Sequence, residues 1–173
     1  MTPDLKQSIA ARGRSLQKRL HERVAEPIAA AMEAKRLFED AADESHTRWL
    51  TLELTGYGDV VAATPLHQVL RVAPGDRLAV HVTAYRTQRG CDASSGRPQG
   101  EFRHFFVESL SELVAARDRL AKSASGVSVL LTFRPQLGDT SYPTTGEFSR
   151  DVFDRILAGF LAALHLQLGN LPQ

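Results

Sequence analysis

The chain has 173 residues, of which 43% are hydrophobic and 24% charged, and its net charge is +1. That composition suits a globular domain with its own apolar core; it excludes a disordered segment and argues against a strongly basic nucleic-acid binder. With one cysteine, Cys91, no internal disulfide can form, and the longest apolar run, residues 156–164, is too short to span a bilayer.

No basic segment followed by an apolar one opens the sequence, so the expected location is the cytoplasm, without membrane attachment. Charge is unevenly distributed. Residues 1–24 carry a local +4, residues 33–59 a local −4 and residues 71–104 a local +3. Solvated helix faces or an oriented field for an anionic partner both account for such blocks.

The spacing of Leu5, Ile9, Leu16, Leu20 and Val24 predicts a helix over 4–24. Pro27 suits the first turn of a second helix, over 27–42, through Ile28, Met32, Leu37 and Phe38. A third helix is predicted over 46–55, with Ser45 as N-cap, Gly56 as a left-handed C-terminal stop, and Leu50, Leu54 and part of Trp49 on the core face. The period then changes to two. Strands are predicted over 66–72 and 77–87, joined by Pro74-Gly75-Asp76 as a hairpin. Residues 88–100 read as a polar, mobile loop containing Cys91, and 102–107 as another strand.

Ser109 and Glu112 form a capping-box pair opening a helix to about residue 122. Alternation over 127–134 predicts a strand, and the Pro-, Gly- and Thr-rich residues 135–147 a loop. The last helix starts near Ser149, with apolar positions Val152, Phe153, Ile156, Leu157, Phe160, Leu161, Leu164 and Leu168. Gly169, Asn170 and Pro172 stop it. A stripe this wide exceeds what one sheet face covers, which predicts a homodimer. The expectation is a single α+β domain over 1–173. It has a helical N-terminal third, a mainly antiparallel sheet of about four strands with helices packed against it, and a long C-terminal helix.

The search for chemistry returns few candidates. The histidines at 21, 46, 67, 81, 104 and 165 make no H-x-H or H-E-x-x-H pattern, so no metal site and no cofactor are expected. There is no P-loop, no G-x-G-x-x-G and no nucleophile elbow, so no catalytic residue is assigned. Arg86, Arg89 and Arg97, with Arg103 and the aromatics Tyr85, Phe102, Phe105 and Phe106 between them, are candidates for anion binding. Core aromatics beside solubilising arginines read equally well from the same residues.

Trp49, Glu53 and Tyr57 recur every four residues, and the segment Trp49-Leu50-Thr51-Leu52-Glu53-Leu54-Thr55-Gly56-Tyr57 resembles the AbiTii domain, a bacterial abortive-infection family. In that family a helical opening leads to W-x-x-x-E-L-x-G-Y and then to a proline-containing connection, here Thr64-Pro65-Leu66-His67. A tyrosine-arginine pair more often follows that proline, where this chain has His67 and Gln68. The resemblance covers residues 5–168 loosely and residues 49–57 specifically. It implies a non-enzymatic phage-defence module that binds a partner protein or oligomerises, with Trp49, Glu53, Gly56 and Tyr57 in structural roles. The alternative is a small enzyme or toxin acting on a nucleotide or nucleic acid through residues 85–106.

Overall fold

The computed structural model describes residues 2–56, 90–91, 104–106, 108–122, 129–133, 136–137, 140–141 and 144–172. The chain divides into two compact units, Met1–Thr55 with Ala158–Gln173, and Gly56–Leu157.

In the first unit, α1 (Pro3–His21) opens on Thr2, whose Oγ1 accepts from the Leu5 N–H at 3.4 Å. Pro3 occupies the first helical position, where its missing N–H costs nothing. α1 buries Ile9, Ala10, Gly13, Leu16 and Leu20. The ends of the expected stripe are outside the core, Leu5 at 39% exposure and Val24 at 67%.

α2 (Pro27–Asp40) buries Ala30, Ala31, Ala34, Leu37 and Phe38. Met32, expected on the inner face, is 47% exposed. The alanines decide this rotation, because their small side chains let neighbouring helix backbones approach closely.

Both helices end on a left-handed residue that is not glycine, Arg23 and Ala42, each at φ 57. In each case the next N–H turns back to the helix. Val24 N donates to Arg19 O at 3.1 Å, and Asp43 N to Phe38 O at 2.8 Å. These are Schellman closures, and a side chain in that conformation is strained.

The charge blocks of the sequence find one another here. Arg12 pairs with Asp40 at 2.8 Å, and Arg19 Nη2 donates to both carboxylate oxygens of Glu33 at 2.6 Å. The later α1 residue meets the earlier α2 residue, so the helices run antiparallel, with rungs seven residues apart on each. Two opposite charges of each block are thus paired within one helical hairpin.

α3 (Glu44–Thr55) starts two residues before its predicted start, and Asp43 rather than Ser45 caps it: Asp43 Oδ1 accepts from the His46 N–H at 3.0 Å. A carboxylate at a helix N-terminus also opposes the helix dipole.

In the second unit, α4 (Leu110–Ala121) follows a complete capping box. Ser109 Oγ accepts from Glu112 N, and Glu112 Oε2 accepts from Ser109 N at 2.7 Å. α4 buries Leu110, Leu113, Ala116 and Leu120. Among the described residues, extended structure occurs as three two-stranded antiparallel pairs. β1 (Gly90–Cys91) pairs with β2 (His104–Phe105), so Cys91 belongs to a short ladder where the sequence suggested loop. β3 (Val129–Phe133) pairs with β6 (Thr144–Phe148), and β4 (Gln136–Leu137) with β5 (Thr140–Ser141). These last two pairs share one register, which replaces the loop expected over 135–147.

α5 (Arg150–Leu168) contributes its first eight residues to this unit and the rest to the first. Phe106 lies edge-on to Phe148 and Phe153, with ring centroids 4.9 and 5.7 Å apart.

The α+β expectation is overturned. Of the buried apolar residues among those described, only Phe106, Phe148 and Leu171 lie off a helix, so the described interior is mainly helix against helix and all-α in character. No four-stranded sheet occurs among the described residues. The predicted strands at 66–72 and 77–87 and the hairpin between them lie outside the described residues. The argument for a homodimer from the width of the last helix also fails. Val152, Phe153, Ile156, Leu157, Phe160, Leu164 and Leu168 are all buried within one chain, with Phe153 against Phe106 and Phe160 against Trp49. Among the described residues, no helix is long and apolar enough to cross a membrane.

Candidate functional site

The segment that carries the family likeness lies on α3 and points inward. Side chains four residues apart on a helix share a face, and Trp49 and Glu53 are 1% and 0% exposed. The indole Nε1–H of Trp49 donates to Glu53 Oε1 at 3.2 Å, and this is not the only interaction either residue makes. On its other side the indole meets Phe160 of α5, ring centroids 5.8 Å apart at 54°.

A buried carboxylate is tolerated only when donors replace its lost water. The indole N–H is one such donor, so the Trp–Glu pair satisfies two polar groups while placing a large ring in the core. The face buried by α3 is therefore Trp49, Leu50 and Glu53, with Leu54 half-buried where the sequence placed it in the core. Gly56 follows the helix at φ 94, a conformation that favours glycine. Tyr57 lies outside the described residues.

A second polar cluster, which the sequence reading missed, ties the start of α3 to the end of α5. His46 Nδ1 lies 2.7 Å from Asp43 Oδ2, and its Nε2 lies 2.8 Å from Gln167 Oε1. Asn170 Nδ2 donates to the same oxygen at 2.9 Å. The imidazole stacks on Phe38, centroids 4.5 Å apart and planes 13° apart. The Asp43-x-x-His46 spacing at a helix start was the available signal, since an aspartate cap faces the third residue of its helix. Gln167, 121 positions away, had none.

Arg86, Arg89 and Arg97, the candidate anion-binding residues, lie outside the described residues, as do Tyr85, Phe102, Arg103, His67 and His81. His21 and His165 face one another with ring centroids 6.3 Å apart. Among the described residues no group of three or more His, Cys, Asp or Glu is placed to hold a metal ion. A cleft of about 60 Å³ lies between α1 and the turn after α5, next to Gly13, Arg14, Gln17 and Leu171. Ligand pockets run to several hundred Å³, so this cleft has room for a water or two only.

Neither a family model, nor a curated protein, nor a solved structure matches this chain.

Proposed function

We propose that this chain is a module of a bacterial phage-defence system of the abortive-infection type, acting by binding a partner protein or by self-association and not by catalysis. The supporting observation is the role of the family-like segment. Trp49 and Glu53 are buried and bonded to each other, so the residues most particular to the likeness build the helical unit. A motif spent on the interior leaves activity to the surface that the interior supports.

The test is a phage challenge of cells with and without the gene, scored by plating efficiency. Loss of the gene should raise plating by orders of magnitude for at least one phage of a diverse panel. Equal plating across the panel refutes the defence reading. Cross-linking in infected cells then separates partner binding from self-association.

A further inference from the structure

We draw no further inference here: the strongest candidate, the facing His21–His165 pair between α1 and α5, in which His165 Nδ1 is buried without a hydrogen bond, brings a metal ion two ligands where a protein site takes at least three, and the described residues place no third beside them.

Discussion

Glu53→Gln tests the centre of the first unit with almost no change of shape. The carboxylate is fully buried and receives the Trp49 indole N–H at 3.2 Å. A hydrogen bond to a charged acceptor contributes about 1.5–3 kcal/mol, and one to a neutral amide about 1. Glutamine also brings a new N–H₂ beside the indole donor. The expected loss is therefore about 1–3 kcal/mol, which at this chain length lowers Tm by roughly 2–4 °C per kcal/mol. Trp49→Phe removes the donor and part of the ring that meets Phe160, and should cost about 2–4 kcal/mol. The deciding measurement is the double-mutant cycle by urea denaturation. If the indole and the carboxylate interact as described, the double variant should lose about 1 kcal/mol less than the sum of the two single losses. A coupling indistinguishable from zero, or a Glu53→Gln variant as stable as wild type, would falsify the account of a bonded buried pair.

Substitutions at four further positions probe the helix ends and the charge ladder. Arg23→Gly and Ala42→Gly should each raise stability by about 0.5–1 kcal/mol, since glycine relieves the φ of 57 at both helix stops and that relief exceeds its entropic cost; an unchanged denaturation midpoint refutes the strain. Asp43→Ala should cost about 1–2 kcal/mol, because it removes the cap on the His46 N–H and the partner of the imidazole together; Asp43→Asn, which keeps the cap, should recover about half, and no recovery contradicts the capping role. Arg12→Ala should change stability by less than about 0.5–1 kcal/mol, since both partners of its ion pair are about two-fifths exposed; a larger loss in the same denaturation assay would show that the pair holds the hairpin closed.

The five helices of the described residues were legible because their signals are local. Pro27, Ser109-x-x-Glu112 and the stop at Gly169 act within one turn of the residues they terminate, so no distant partner is needed to read them. The inward face of α3 was half legible. Spacing by four put Trp49 and Glu53 on one face, and the structure buries both. The hairpin over 129–148 was missed, although the Gly138-Asp139 dipeptide between β4 and β5 is a hairpin signal. Proline, glycine and threonine were counted there as loop composition.

The fold class was not legible, for a physical reason. Alternating residues over 77–87 and 127–134 report local preference for extended backbone, but whether strands join a sheet depends on partners far along the chain. Hydrophobicity alone mis-set α2, because Met32 outranks alanine on any apolar scale; which face goes inward was decided by how closely another helix could approach Ala30, Ala31 and Ala34. The same holds for charge. Opposite blocks in sequence look like an external field until the antiparallel hairpin sets Arg12 against Asp40 and Arg19 against Glu33. The sequence by itself determined that these helices form and placed their ends to within a few residues, since capping and backbone dihedrals are settled among neighbours. Only the tertiary structure decided what each helix turns toward, because burial, ion pairing and the bridge from His46 to Gln167 depend on groups brought together from separate parts of the chain.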